Sequence, residues 1–260
     1  MRRFTDRSVV VLGGAGVLGS AVARSFASEG AKLAVGYRSS AKTAGSLVAE
    51  IRNTGGMAFC AQADVTDLGS IDQFMTSAAG ELGGIDILIN AFGRIDAADA
   101  VRFDETDPAA WDQLFSVDVR GTFLACRAAL PFLRDATAPA IVNFAGSYGN
   151  GTNQDNLVNS VSVSFCAAKG AIRGFTAALA RDLAPHIRVN AISPGMIEAN
   201  WDADWNIPAE YLGEAVAATP LRRLGTPDEI AESVLYLASP GGGYTTGQIL
   251  QVDGGWLMPG

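Results

Sequence analysis

The sequence is poor in the residues that build metal sites and disulfide frameworks. Its 260 residues include one histidine, His186, and three widely spaced cysteines, Cys60, Cys126 and Cys166. A single histidine argues against a zinc centre or a histidine-based triad, so we expect no metal site. An odd, small number of cysteines favours free thiols in a reducing compartment over disulfide bonds. The composition therefore predicts a cytoplasmic protein.

Positive charge is also in short supply. Lysine and arginine together number 19 against 27 acidic residues, which gives a net charge of -8 and a pI near 4.7. This balance disfavours a general attraction to nucleic acid. Apolar runs are interrupted by glycine, serine or charge well before the ~20 residues that a transmembrane helix needs. The N-terminus has Arg2 and Arg3 but no apolar run before the first strand, so it does not resemble a signal peptide. We expect no partner among nucleic acids or membranes.

Hydrophobic residues make up 48% of the chain, and short apolar runs alternate with longer amphipathic stretches throughout. This alternation is typical of a parallel sheet wrapped by helices. The predicted strands are 8–12, 32–35, 57–61, 85–90, 140–144, 187–192 and 249–252, and the predicted helices are 17–29, 70–82, about 108–133, 164–183 and 227–237. No linker or repeat divides them. We therefore predict one α/β domain over 1–260, a doubly wound, mostly parallel Rossmann-type sheet with helices on both faces.

A glycine-rich turn joins the first predicted strand to the first helix. Gly13, Gly16 and Gly19 follow one another at intervals of three, with Leu18 beside the last. Small residues let the backbone approach a pyrophosphate, and the helix N-terminus supplies free N–H groups. The position of the turn favours dinucleotide binding over an ordinary turn, although glycines serve both.

The end of the second strand bears on the choice of cofactor. An acidic residue there would bind the adenosine ribose hydroxyls and favour NAD. The chain instead has Tyr37, followed by Arg38 and Ser39. A guanidinium beside hydroxyls suits a 2′-phosphate, so NADP(H) is favoured over NAD(H). The alternative is that Arg38 is a solvated surface charge.

From about Ser8 to Trp256 the chain resembles the short-chain dehydrogenase/reductase family. The C-terminal segments 221–230 and 252–256 match that family closely, and Lys169 matches the lysine of its Tyr-x-x-x-Lys pair, but Phe165 stands where the catalytic tyrosine is expected. The turn also departs from the short-form pattern, because Leu12 and Val17 replace a threonine and a glycine. The resemblance implies further cofactor-binding positions, namely Asp64, Val65, Asn90, Gly93, Pro194, Gly195 and Ile197.

The resemblance also implies a catalytic set, in which Lys169 holds the nicotinamide ribose. Asp118 takes the position of the family's asparagine. The family's serine falls at Gly146, so Ser147 is a candidate substitute if a bulge redirects its side chain. Tyr148 is the nearest phenol in sequence, and its hydroxyl could replace that of the missing tyrosine. A benzyl ring at position 165 cannot transfer a proton.

Other residues near these positions have structural or substrate-binding explanations. Ser164 fits equally well as a helix N-cap. A substrate lid is expected over about 197–220, where Trp201, Trp205 and Tyr211 could stack on a flat or apolar substrate or only pack the lid on the body.

The leading interpretation is an NAD(P)(H)-dependent oxidoreductase that acts on a carbonyl or conjugated alkene of a small organic substrate, with non-standard catalytic residues. Two alternatives stay open. One is a non-redox cyclase, isomerase or dehydratase on the same scaffold. The other is a non-catalytic partner subunit that joins an active homologue in a mixed oligomer. The resemblance otherwise implies a homo-oligomer, either a tetramer or a dimer.

Overall fold

A seven-stranded sheet forms the centre of the molecule. The computed structural model describes residues 2–94, 101, 103–150, 163–199 and 209–258. The strands are β1 (Ser8–Leu12), β2 (Lys32–Tyr37), β3 (Met57–Gln62), β4 (Ile87–Asn90), β5 (Ala140–Phe144), β6 (Arg188–Pro194) and β7 (Ile249–Val252). Their order is β3-β2-β1-β4-β5-β6-β7, and every pairing is parallel. The predicted single-domain, doubly wound α/β fold is confirmed.

Helices cover both faces of this sheet. They are α1 (Val17–Ser28), α2 (Ala41–Asn53), α3 (Leu68–Leu82), α4 (Pro108–Phe115), α5 (Gly121–Arg134), α6 (Val163–Leu183), α7 (Ala209–Ala218) and α8 (Pro227–Ala238). One apolar cluster places α1, α2 and α8 on one face, and a second places α3, α5 and α6 on the other. Among the described residues, no helix is long and apolar enough to span a bilayer.

Three helical expectations were wrong or incomplete. Helix α2 was not among the predicted elements; it buries Leu47, Val48 and Ile51 behind a polar outer face. The single helix predicted over about 108–133 is interrupted by a π-helical turn at Ser116–Arg120. Ser164 does not cap α6, because the helix begins one residue earlier and Ser164 is buried within it.

Helix α8 has a reciprocal cap at its N-terminus. The Thr226 hydroxyl accepts a hydrogen bond from the backbone N–H of Glu229, whose carboxylate accepts one from the backbone N–H of Thr226, a reciprocal capping box. The other end of α8 lies against Arg188 at the start of β6. The Arg188 guanidinium donates to five backbone carbonyls at and just beyond the helix end, where a helix leaves carbonyls without intrahelical partners.

Buried polar side chains connect β4, β5 and α6. The Asn90 amide donates to Asn143 Oδ1 at 2.8 Å, and the Asn143 amide donates to Thr176 Oγ1 at 3.0 Å. These bonds offset most of the cost of burying amides in the apolar interior. Strand β1 lies next to β4, and the strand order reverses between them. In open α/β sheets, ligands bind in the crevice beyond the carboxyl ends of the strands at such a reversal.

Candidate active site

The glycine-rich turn lies at this reversal and is closely packed. Leu12, the last residue of β1, is in register with Asn90 at the end of β4. Gly13 has φ +76°, and a Cβ on it would lie 2.7 Å from the backbone oxygen of Ala91. A Cβ on Gly19 would lie 2.3 Å from the Gly13 carbonyl oxygen. The turn therefore brings the N-terminus of α1 against the ends of two strands, and no side chain larger than hydrogen fits at these contacts.

Two of the remaining turn residues have different surroundings. Gly16 is exposed and is the N-cap of α1 without a side-chain cap, so the first N–H groups of that helix point outward from bare backbone. Leu18 packs on the apolar cluster beneath α1 and is partly buried. Leu18 therefore supports the helix from behind, whereas Gly16 lies at the open side of the turn.

The residues predicted to bind the adenosine part of the cofactor lie at the carboxyl ends of β2 and β3. Tyr37 ends β2 half-buried, and Arg38 and Ser39 follow it on the exposed surface. Asp64 accepts hydrogen bonds from the backbone N–H and hydroxyl of Thr66, which lower the pKa of its carboxyl together with the nearby charge of Arg38. The exposed arginine and the ionised Asp64 thus lie on neighbouring strand ends. Val65 is buried beneath them against Gly121.

A buried ion pair occupies the middle of the site. Lys169 Nζ on α6 lies 2.8 Å from Asp118 Oδ2 in the π-helical turn, and the two side chains are 8% and 0% exposed. Asp118 Oδ1 accepts from the backbone N–H of Arg94 at 2.8 Å, and Lys169 Nζ lies 3.4 Å from the backbone oxygen of Phe144. Gly93 packs directly against the pair, because a Cβ on it would be 3.0 Å from Lys169 Nζ. The structure therefore brings Lys169, Asp118 and Gly93 into contact.

An aromatic cluster lies beside the ion pair. The Phe165 ring centroid is 5.3 Å from Lys169 Nζ and 6.0 Å from the Tyr148 ring. The Tyr148 ring packs edge-on against Trp256 at 4.8 Å, and its hydroxyl lies 3.6 Å from Met196 Sδ. Tyr148 is thus next to Phe165, and its hydroxyl faces the turn after β6.

Ser147 and Asn90 lie in the interior. Ser147 is fully buried, and its hydroxyl donates to the backbone oxygen of Pro194 at 2.9 Å. This bond ties the end of β5 to the end of β6. Gly146 has φ +62° and lies against the aliphatic stem of Lys169. The side chain of Asn90 is directed towards Asn143 inside the sheet.

The turn after β6 completes the described site. A Cβ on Gly195 would lie 2.7 Å from the Cα of Asp253, so the turn after Pro194 packs directly on the segment after β7. Ile197 is buried and bridges to Gly225. The predicted lid begins here, but Trp201 and Trp205 lie outside the described residues, as does the side chain of Tyr211. The described residues contain no cluster of three or more side chains able to hold a metal ion.

The whole chain is similar to known oxidoreductases. A family model described as enoyl-(acyl carrier protein) reductase matches residues 13–257. The 2,5-dichloro-2,5-cyclohexadiene-1,4-diol dehydrogenase LinX of Sphingobium indicum is 34% identical over 257 residues, which cover 98% of each chain. The chain belongs to the short-chain dehydrogenase/reductase family. It is an oxidoreductase-type member of that family by sequence and by fold.

Solved structures of the short-chain dehydrogenase/reductase family agree in fold. A short-chain dehydrogenase from Burkholderia cenocepacia in complex with NADP has a TM-score of 0.88 at 28% identity, over 98% of this chain and 99% of that one. A blue fluorescent protein from a metagenomic library, in complex with NADPH, has a TM-score of 0.88 at 30% identity, over 98% and 100% of the two chains.

Within this short-chain dehydrogenase/reductase site, sequence reasoning missed two neighbours of Tyr148. Trp256 was included only in the 252–256 match to the family, and Met196 was not singled out. No local pattern brings residues 148, 196 and 256 together. They meet because β5, β6 and β7 are adjacent and end at the same edge. The sequence signal available for Trp256 was its position four residues after the strand that ends at Val252.

Proposed function

We propose that the protein is an NAD(P)(H)-dependent oxidoreductase that acts on a carbonyl or conjugated alkene of a small organic substrate. The observation that carries this proposal is the buried Lys169 amine beside Gly93, on the same sheet edge as the glycine-rich turn. The turn would receive the pyrophosphate of a dinucleotide, and by the family resemblance Lys169 would hold its nicotinamide ribose. A bound nicotinamide would supply or accept the hydride.

The residues present fit such a cofactor. The cradle at Gly13 and Gly19 leaves no room for a Cβ, which favours a backbone surface that a pyrophosphate can approach closely. Asp118 Oδ2, although close to the lysine, receives no hydrogen bond of good geometry from the described residues. Because this oxygen is fully buried, we assign Asp118 to positioning Lys169 rather than to contact with the ribose. Asp64 and Val65 would meet the adenine, while Pro194, Gly195 and Ile197 would border the nicotinamide.

We favour NADP(H) over NAD(H). Arg38 is exposed at the end of β2, beside Tyr37 and Ser39, where its guanidinium and the serine hydroxyl can meet a 2′-phosphate. The nearby carboxylate of Asp64 is held by Thr66 and leaves the arginine free to turn outward. Solved relatives with NADP and NADPH bound support the presence of this cofactor class in the family.

Because the Phe165 ring cannot transfer a proton, another group must do so. Tyr148 is one candidate, because its ring packs beside Phe165, and its hydroxyl would have to leave Met196 to reach a substrate. Ser147 is the other side-chain candidate, but its hydroxyl is buried and bonded to Pro194. A water molecule at the edge of the Phe165 ring, close to Lys169, is the third. The lid over about 197–220 would close on the substrate.

The test is a titration of the purified protein with NADPH and with NADH, followed by nicotinamide fluorescence and by binding heat. We expect both to bind, NADPH more tightly, and Lys169→Ala to weaken binding. A parallel screen of ketones and enones with the wild type and Phe165→Tyr should show faster turnover in the variant, since it places a phenol beside Lys169. If neither cofactor binds the folded protein, the redox proposal is wrong.

The same geometry gives the two alternatives their support. The two hydroxyls that could replace the missing phenol both have contacts elsewhere, with Met196 and with Pro194. A non-redox cyclase, isomerase or dehydratase would use the buried Lys169 and Asp118 for proton transfer. A non-catalytic subunit would need neither. Turnover of a substrate without cofactor consumption would favour the non-redox enzyme. Co-purification with an active homologue would favour the non-catalytic subunit.

We also propose that the chain forms a homo-oligomer, either a dimer or a tetramer. Phe123 on α5 is 45% exposed and lies edge-on against Phe175 of α6 at 6.4 Å. An exposed aromatic ring beside the partly buried Phe175 suits a subunit contact. Sedimentation velocity should give a mass of two or four chains, and a monomer across the micromolar range would contradict this.

A further inference from the structure

The proposed ribose site contains a buried anion, Asp118, next to the buried cation Lys169. Lys169 carries the cation, and Asp118 supplies a full anion 2.8 Å away with no exposed surface. Solvent screens neither charge, so the local electrostatic field depends on both residues together. A neutral residue at position 118 would leave this part of the site with one net positive charge.

The surrounding contacts keep the two charges in place. Asp118 is held by the backbone N–H of Arg94, and Lys169 is held near the backbone oxygen of Phe144. Gly93 leaves no gap above them. The Arg94 side chain is directed towards the carbonyl of Ala110 on α4, at 3.5 Å. The pair therefore forms a fixed, electrically neutral unit at the expected ribose position.

We propose that Asp118 sets the preference of the site for the oxidation state of the cofactor. This rests on the proposed function, since it assigns the nicotinamide end to Lys169. The oxidised nicotinamide ring carries a positive charge that the reduced ring lacks. A lysine alone would repel the oxidised ring, whereas the neutral pair removes that repulsion. Asp118 thereby raises the affinity for the oxidised cofactor relative to the reduced one.

Calorimetric titration with the oxidised and reduced cofactors tests this without any substrate. The titrations use NADP⁺ with NADPH and NAD⁺ with NADH. For each pair, the ratio of the dissociation constant of the oxidised cofactor to that of the reduced cofactor is compared between variants. Asp118→Asn should shift this ratio towards the reduced cofactor by about tenfold, the size expected for a unit charge about 10 Å away at an effective dielectric of about 20. Lys169→Met should shift it in the opposite direction.

The double variant Asp118→Asn/Lys169→Met serves as the matched control. It is neutral again, so its ratio should return close to the wild-type value even if both affinities fall. Adenosine 2′,5′-bisphosphate, which lacks the nicotinamide, should bind all four proteins equally. The exposed Lys42→Ala variant should leave every value unchanged.

The outcomes separate this proposal from the proposed function. If both oxidation states bind but every variant keeps the wild-type ratio, Asp118 has only a structural role and the inference is wrong. Should the single variants fail to fold, the wild type still decides the matter, because a more than tenfold preference for the reduced cofactor would contradict a neutral site. If no nicotinamide nucleotide binds, the proposed function itself fails.

Discussion

Removing one member of the Asp118–Lys169 pair should destabilise the protein far more than removing both. In Asp118→Asn, the buried Lys169 ammonium loses its anionic partner, and in Lys169→Met, the Asp118 carboxylate with 0% exposure loses its cationic partner. Breaking a buried pair on one side costs about 3–5 kcal/mol, whereas replacing both charges is often nearly neutral. The double variant should therefore regain nearly the stability of the wild type. The coupling free energy, which is the loss in the double variant minus the summed losses of the two single variants, should be about 6 kcal/mol or more in magnitude.

Urea denaturation of the four proteins at one fixed concentration measures this cycle, because subunit association would otherwise shift the midpoints. Each single variant should also lose roughly 6–20 °C in Tm. The exposed pair Arg24–Glu50 is the control, since its atoms also lie 2.8 Å apart while its side chains are 48% and 52% exposed. That cycle should give less than about 1 kcal/mol. Equal coupling in the two cycles would refute the assignment of a buried charge pair.

Three further predictions concern the cofactor turn, the adenosine end and acid stability. Gly19→Ala should abolish nucleotide binding, because its Cβ would lie 2.3 Å from a backbone oxygen, whereas Gly45→Ala, also helical but with open space around it, should bind normally in the same titration. Arg38→Ala should weaken NADPH binding about tenfold and leave NADH unchanged; equal losses for both would rule out a 2′-phosphate contact. Hydrogen bonds from Arg223 and from the backbone N–H of Thr226 lower the pKa of the Glu229 carboxyl to about 2. The stability that ionised Glu229 contributes is therefore present above the ordinary pKa of a glutamate and is lost as pH falls from about 5 towards 2. Glu229→Gln should flatten acid denaturation curves in that window, and an unchanged curve would count against the capping box.

The parallel sheet was predictable because its central strands, β1, β4 and β5, are fully buried and form apolar runs. β1, β5 and β7 have the predicted bounds, and the glycines of the first turn identified the phosphate side of the site. Helix α2 was missed although Ala44, Leu47, Val48 and Ile51 recur at helical spacing. The π-helical turn at Ser116–Arg120 escaped prediction because no residue type marks it. Its geometry depends on packing between neighbouring helices.

The sequence alone determined the family, the one-domain α/β architecture, the glycine cradle and the absence of a phenol at position 165. Local patterns suffice for these, since they depend on residues that are close in the chain. Only the tertiary structure decided that Asp118 is an ion-pair partner of Lys169, that the Ser147 hydroxyl is used between strands, and that Tyr148 packs on Trp256. Those contacts join residues 51, 47 and 108 positions apart. The ion pair forms because the π-helical turn and α6 lie on the same face of the sheet, and the other two contacts form because parallel strands end at one common edge.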